Sequence, residues 1–284
     1  MIVEGSAQVA SPLLPDADVA WLSSDASGRL LATTADGRLF AGAPASAAAA
    51  QGPWREVVPR HSGTAPAAQL SFGTLSPDGR RIASLAADFA VGTAFDLVVA
   101  DVETGAAISL PVASRPDGAA PAWLPDGRLL LIARDPANDT TGILLVDLGR
   151  SAPVARVDQD AYGIALSADG GVAAVAGPDG RVTAGASRLL LAALIEELGD
   201  DPGTEDGVAA GDVPPALIGP PAGASVGSLA LDPSGTLLAV AWLVGAGGRA
   251  EIRRYRLGPG DVSIEGPPLD VPGGARIAVV AWLP

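Results

Sequence analysis

One short phrase recurs along this chain and constrains its fold more than any other feature: an apolar run, a turn around Asp-Gly and a second apolar run. The clearest copy covers residues 75–84, Leu-Ser-Pro-Asp-Gly-Arg-Arg-Ile-Ala-Ser. The turn glycines of the five copies are Gly28, Gly79, Gly127, Gly170 and Gly235. They are separated by 51, 48, 43 and 65 residues. A repeat of this period is typical of solenoids and propellers.

The turn in each copy has a clear chemical basis. In Pro77-Asp78-Gly79, proline presets φ near about −65°, aspartate suits the next position and glycine accepts the left-handed conformation that follows. The flanking apolar runs are about five residues long, which favours buried strands over helices. Each copy is therefore predicted to form a tight β-hairpin.

A second phrase follows the hairpin and predicts two more strands. An apolar strand that ends in a turn is indicated at residues 97–105, 143–149 and, in a polar version, 252–258. A weaker strand follows each of these, at residues 107–112, 153–157 and 262–269. One unit thus holds four strands in about 45 residues, which is the pattern of a β-propeller blade.

The order of these phrases also carries a family resemblance. Ser76-Pro77-Asp78-Gly79, then Ile82-Ala83-Ser84, then Asp101-Val102-Glu103-Thr104-Gly105 resembles the WD40 repeat and the related bacterial YVTN and TolB-type propeller repeats. The resemblance extends over about residues 18–284, although the copies lack the Gly-His and Trp-Asp dipeptides of the strict WD40 pattern. It implies a propeller fold and leaves the function open.

We therefore predict an all-β protein: a single β-propeller domain over residues 1–284, with five to six four-stranded blades. The predicted units are about 18–60, 67–113, 118–158, 161–219 and 224–270. A partial last blade at 274–284 could be completed by residues 1–10, because pairing the termini hides strand edges. There are two alternatives. One is a five-blade ring whose last strand completes the first blade, and the other is a fragment of a longer chain.

The fourth unit contains a stretch that departs from the strand pattern. Residues 187–198 are predicted to form a short helical insertion, with Ser187 as its cap and Gly199 as its stop. Its apolar side chains offer a docking element for a partner, the alternative being packing against the propeller itself. The candidate partner-binding residues of this helix are Leu190, Leu191, Leu194 and Ile195.

Composition excludes several classes of function. The formal net charge is −14, which argues against nucleic-acid partners because phosphate binding needs clustered cations. The absence of cysteine excludes disulfides and thiolate metal sites, and one histidine cannot build a histidine zinc site. All 18 basic residues are arginine, and the wealth of Ala, Gly and Pro indicates a GC-rich, bacterial genome.

The N-terminus lacks a basic segment followed by an apolar one, and no apolar stretch reaches the length of a membrane span. We expect no direct membrane insertion. A cytoplasmic location is the default expectation, with the periplasm and the extracellular space as alternatives.

Charged residues on the predicted loops are the remaining candidates for partner binding. These are Arg60, His61, Arg115, Asp117 and Arg134, which we expect to ring one face of the disc. Asp135, Asn138 and Asp139 supply hard oxygen atoms suited to calcium, but their spacing does not match an EF-hand and a plain turn-rich loop is favoured. No serine lies in a nucleophile elbow, and we predict no catalytic residue and no cofactor.

The favoured function is a non-enzymatic propeller scaffold that binds protein partners as a subunit of a larger assembly. A propeller hydrolase of the lactonase kind is the first alternative, and it requires acids or amides converging on the central channel. A ligand-sensing module of a longer chain is the second.

Overall fold

The computed structural model describes fifteen segments of the chain. They are residues 2–4, 7–9, 18–25, 27–44, 54–61, 69–87, 95–112, 115–116, 119–134, 140–150, 152–157, 160–190, 215–245, 249–258 and 261–270.

The described strands form five antiparallel sheets in chain order, numbered blades 1 to 5 from the N-terminus, and one separate N-terminal hairpin. The hairpin consists of β1 (Ile2–Glu4) and β2 (Ala7–Val9). Blade 1 contains β3 (Val19–Ser24), β4 (Arg29–Thr34), β5 (Leu39–Pro44) and β6 (Arg55–Val57). Blade 2 contains β7 (Arg60–His61), β8 (Gln69–Leu75), β9 (Arg81–Ala87), β10 (Phe95–Asp101) and β11 (Ala106–Val112).

Blades 3 to 5 repeat this arrangement. Blade 3 contains β12 (Arg115–Pro116), β13 (Ala122–Trp123), β14 (Leu129–Arg134), β15 (Thr141–Asp147) and β16 (Ala152–Val157). Blade 4 contains β17 (Gly163–Leu166), β18 (Val172–Ala176), β19 (Val182–Ala186) and β20 (Ala216–Ile218). Blade 5 contains β21 (Ala224–Leu231), β22 (Leu237–Val244), β23 (Arg249–Gly258), β24 (Asp261–Ile264) and β25 (Leu269–Asp270).

The prediction of an all-β propeller is confirmed, with five blades of four main antiparallel strands in the described part of the chain. The short strand β7 is an addition, because it joins the outer edge of blade 2 in parallel with β11. The predicted helical insertion begins where expected, at α1 (Ser187–Leu190). Residues 191–198 lie outside the described residues, as do 274–284.

The predicted hairpin turns are present in every blade. Their glycines all adopt a left-handed φ, between 66° at Gly79 and 86° at Gly127. In blade 2 the Ser76 hydroxyl donates to the Asp78 carboxylate over 2.6 Å, and blade 4 repeats this contact with Ser167 and Asp169. In blade 5 the same two residue types exchange places, so that Ser234 donates back to Asp232. Side chains as well as glycine therefore fix these turns.

Because of these turns, we expect the stability of the folded protein to depend on pH. The Ser76 hydroxyl holds the pKa of Asp78 below its usual value of 3.8, and the Ser167 hydroxyl lowers the pKa of Asp169 in the same way. A lowered folded-state pKa means that the unfolded chain binds protons first, so the stabilisation exists at neutral pH and is lost as pH falls below about 4. We expect the melting temperature to fall between about pH 4 and about pH 2. A Ser76→Ala, Ser167→Ala double variant should show a shallower fall, and an unchanged slope would contradict this.

The blades pack through alternate residues of their strands. Leu31 and Leu39 of blade 1 meet Leu70 and Ile82 of blade 2 in one buried cluster. Three further clusters join blades 2 and 3, blades 3 and 4, and blades 4 and 5. Blades 2, 3 and 4 each bury both faces in this way, which accounts for the nearly continuous apolar strands that these repeats contain.

A candidate site in the central cavity

The innermost strands of all five blades surround a central cavity of about 200 Å³. One residue from each blade illustrates the lining: Trp21, Leu75, Ala122, Ile164 and Leu229. The repeat places the first strand of every blade toward the ring axis, so the cavity is a direct product of the fold. Its chemistry depends on the side chains that differ from blade to blade.

One side of the cavity is polar and is built by blades 5, 1 and 2. The inner strand of each of these blades contains a β-bulge, between Val19 and Trp21, between Ser71 and Thr74, and between Val226 and Ser228. No register shift occurs between the inner and second strands of blades 3 and 4 over their described pairs. Bulges redirect the side chains that follow them and are enriched near functional sites.

The residue after each bulge carries a buried polar atom that has no hydrogen-bond partner. These atoms are the Trp21 Nε1, the Thr74 Oγ1 and the Ser228 Oγ. All three residues line the cavity. A buried polar group without a hydrogen-bond partner lowers the stability of the fold by about 1–3 kcal/mol. Three such groups around one cavity therefore indicate that its lining is not optimised for stability alone.

The opposite side of the cavity is apolar and is built by blades 3 and 4. Here the Trp123 Nε1 donates to the Thr74 carbonyl oxygen over 3.3 Å, and the Arg81 guanidinium lies 5.5 Å from its ring centre. Ile164 and Ala165 continue this side. Tyr162 also lines the cavity and is 45% exposed, which makes it one of five large hydrophobic side chains that are exposed among the described residues.

Asp25 is the one charged residue among the described residues that line the cavity. Its Oδ1 accepts hydrogen bonds from the Ser27 amide and hydroxyl and from the Arg29 amide, at 2.7–2.9 Å. This carboxylate therefore holds its own hairpin together. Within the described ranges no group of three or more His, Cys, Asp or Glu side chains is arranged to hold a metal ion.

The structure separates the sequence-predicted loop residues into two places. Arg60 and His61 form β7 at the outer edge of blade 2, and the Arg60 amide donates to the Gly105 carbonyl over 2.7 Å. Arg115 pairs directly with Arg134 across β12 and β14 in blade 3. Asp117 and the calcium candidates Asp135, Asn138 and Asp139 lie outside the described residues.

Of the helix residues that we proposed for docking, Leu190 is described, and it packs against the cluster between blades 3 and 4. Leu191, Leu194 and Ile195 lie outside the described residues. Among the described residues, no helix is both long and apolar enough to span a bilayer.

Tyr162, Thr74 and Ser228 line the cavity although the sequence pattern did not predict them there. Thr74 and Ser228 each follow a glycine inside a strand, Gly73 and Gly227, and such glycines often mark a bulge. The sequence therefore already contained an indication of these two bulges. The exposure of Tyr162 depends on how blade 4 is turned toward the axis, which no local pattern reveals.

No protein-family model matches the sequence, and no curated protein matches it. Solved structures do match the fold. A putative TolB from Agrobacterium tumefaciens is 12% identical with a TM-score of 0.56, over 86% of this chain and 78% of that one. The Cps50 (Swd1) β-propeller domain of Myceliophteria thermophila is 12% identical with a TM-score of 0.53, over 91% and 88%. Hydrazine synthase of Kuenenia stuttgartiensis is 15% identical with a TM-score of 0.52, over 92% and 69%.

These likenesses define the class of the protein as a β-propeller with the fold of TolB-like and WD40-like domains.

Proposed function

We propose that this chain is a non-enzymatic propeller that binds a protein partner at its central cavity, as a subunit of a larger assembly. The observation that carries the proposal is the central cavity itself, small, largely apolar, and lined in part by the exposed Tyr162. Buried aromatic anchors that fill pockets dominate the energetics of protein interfaces.

The size of the cavity favours a protein side chain over a metabolite. Small-molecule sites usually measure about 300–1,000 Å³, and this cavity holds about 200 Å³. A single large side chain or the tip of a loop suits that space. Tyr162 supplies an exposed ring with a polar tip, the kind of side chain that is enriched at the core of interfaces.

The chemistry of the lining also favours binding over catalysis. A hydrolase mechanism calls for a general base, or a metal, beside the reacting atoms. The one carboxylate among the described lining residues, Asp25, is committed to the Ser27 and Arg29 amides. Hydrazine synthase has a similar fold and is an enzyme by name, so the fold alone decides nothing here, and the proposal depends on the cavity.

The polar side of the cavity defines what the inserted group should carry. All three unpartnered atoms are buried beneath the cavity wall, so an inserted group reaches them once the neighbouring side chains shift; the Trp21 Nε1 is then a donor, and the hydroxyls of Thr74 and Ser228 both donate and accept. A neutral amide or hydroxyl suits this set better than an acid, because the protein already has a net charge of −14. We expect the partner to insert an uncharged side chain that is apolar on one side and hydrogen-bonding on the other.

A matched pair of variants tests the site. Ala120 lines the cavity and is half-buried, whereas Ala106 is exposed beside Arg60 on the outer edge of blade 2. A photo-crosslinking amino acid at position 162, in cells of the source organism, should first identify the partner by mass spectrometry. Ala120→Phe should then weaken binding of the purified partner by about tenfold or more by filling the cavity, whereas Ala106→Phe should leave it unchanged.

Other results of this experiment would favour a different interface or a different function. Loss of binding with Ala106→Phe alone would move the interface to the Arg60 and His61 edge, and no loss with either variant would overturn the cavity proposal. Equal melting temperatures of both variants and the parent protein are the control. A lactone-hydrolysis assay that gives turnover with the parent protein and none with Ala120→Phe would favour the enzyme alternative.

A further inference from the structure

Phe72 is the one residue other than glycine, among the described residues, that adopts a left-handed φ, which is 55°. This conformation is unfavourable for any residue with a Cβ and more so for a bulky one. Residues in such conformations persist only where their surroundings impose them, and they cluster at binding and catalytic sites. The contacts of Phe72 therefore indicate what its conformation serves.

Blade 1 imposes this conformation through the next residue, Gly73. The Gly73 amide donates to the Thr33 hydroxyl over 3.1 Å, and the Ser23 hydroxyl donates to the Gly73 carbonyl over 3.0 Å. A Cβ at Gly73 would lie 2.7 Å from the Thr33 Oγ1. The close approach of the two blades thus requires glycine at position 73 and fixes its backbone on both sides. The left-handed turn of the bulge then falls on position 72.

The chain nevertheless places an aromatic ring at position 72. A glycine there would adopt the same φ without a steric cost. The Phe72 ring packs against the cluster that joins blades 2 and 3, and it meets the Trp21 indole edge to face at 5.2 Å, with 77° between the ring planes. Since Trp21 lines the central cavity, the Phe72 ring supports a cavity residue.

The supported indole differs from a neighbouring one in its hydrogen bonding. A buried indole N–H usually has a partner, and that of Trp123 donates to the Thr74 carbonyl. The Trp21 Nε1 is also buried, but it has no partner. An indole able to turn would direct its N–H at an acceptor, and the contact with Phe72 opposes such a turn. Two unfavourable features, the left-handed Phe72 and the unpaired Trp21, therefore occur in residues that touch.

We propose that Phe72 is a positioning residue of the cavity: it holds the Trp21 indole so that the N–H is kept for an oxygen acceptor on the inserted group. This inference rests on the proposed function and adds the chemistry of the contact, because an indole N–H only donates. The acceptor is a carbonyl, amide or hydroxyl oxygen. As the group enters, neighbouring side chains shift and uncover the N–H, whereas the indole stays against Phe72.

The indole NMR signals test this positioning in the protein alone. The five tryptophans give five indole N–H signals after isotope labelling, and Trp21→Phe identifies that of Trp21. Phe72→Leu removes the ring and should move the Trp21 signal downfield or split it, because the indole then turns toward another acceptor. Phe40→Leu is the matched control, since Phe40 is also half-buried but contacts Arg38, and it should leave this signal unchanged.

A purely structural Phe72 gives a different result. Phe72→Leu would then lower the urea midpoint without moving the Trp21 signal, and that outcome would overturn the proposal. Phe72→Tyr keeps the ring and should retain the signal of the parent protein. If Phe72→Leu does not fold, Phe72→Gly takes its place, because glycine accepts the same φ without the ring.

Binding of the partner captured at position 162 completes the test. In the parent protein it should move the Trp21 signal downfield as the hydrogen bond forms. Phe72→Leu should weaken binding by about tenfold, and Phe40→Leu by less than about twofold. Unchanged binding of Phe72→Leu beside a loss for Ala120→Phe would overturn this inference and leave the cavity proposal intact. Unchanged binding of both variants would overturn the proposed function, and this inference with it.

Discussion

Replacing Trp242 by alanine should destabilise the protein by about 3–5 kcal/mol, the range measured for large aromatic truncations in cores. Trp242 is 0% exposed and is the largest fully buried side chain among the described residues. It lies in the cluster between blades 4 and 5, beside Leu238 and Val240 of its own strand. A domain of this size has a total stability of about 5–15 kcal/mol, so this one substitution removes a large fraction of it.

A second variant separates packing from hydrogen bonding at the same place. The Trp242 Nε1 donates to the Tyr255 hydroxyl over 3.2 Å, and both groups are buried. Tyr255→Phe leaves the indole N–H without its partner and should cost about 1–3 kcal/mol, less than the loss of the whole indole. Urea unfolding followed by circular dichroism measures both changes. A Trp242→Ala variant as stable as Tyr255→Phe would show that this interface contributes little to the core.

The blade repeat could be predicted from the sequence because its signals are local. Pro-Asp-Gly turns and short apolar runs specify hairpins within a few residues, and the five left-handed glycines stand where the pattern placed them. The number of blades was less constrained, since ring closure depends on packing between segments that are distant in sequence. Strand β7 was missed for the same reason, because its pairing with β11 joins residues far apart in the chain.

The central cavity depended on features with weaker sequence signals. The three bulges each shift one strand against its neighbour and so change which side chain faces the axis. Trp21 illustrates the effect: it lies seven residues before Gly28, whereas Trp123 lies four residues before Gly127, so the two tryptophans are not equivalent in their blades. Trp21 accordingly contacts Phe72 of the following blade, edge to face at 5.2 Å, and Trp123 contacts the preceding one.

Gly105→Ala should be the most damaging glycine substitution on the outer edge of the propeller. Gly105 has a φ of 71°, and a Cβ there would lie 2.5 Å from the Val58 carbonyl oxygen. The left-handed conformation costs a residue with a Cβ about 1–2 kcal/mol, and overpacking adds about 1–3 kcal/mol. The backbone at Val58 cannot move aside freely, because two residues later the Arg60 amide donates to the carbonyl of Gly105 itself.

Two other glycines separate these contributions. Gly223 has a φ of 70° with nothing near its Cβ position, so Gly223→Ala should cost only the conformational part, about 1–2 kcal/mol. Gly219 has neither a left-handed φ nor a close neighbour, and Gly219→Ala should leave stability unchanged or raise it by up to about 1 kcal/mol. The urea midpoint should therefore be highest for Gly219→Ala, lower for Gly223→Ala and lowest for Gly105→Ala. Equal losses of stability for Gly223→Ala and Gly105→Ala would mean that the backbone at Val58 shifts at no cost. Strand β7 would then be held only loosely against β11.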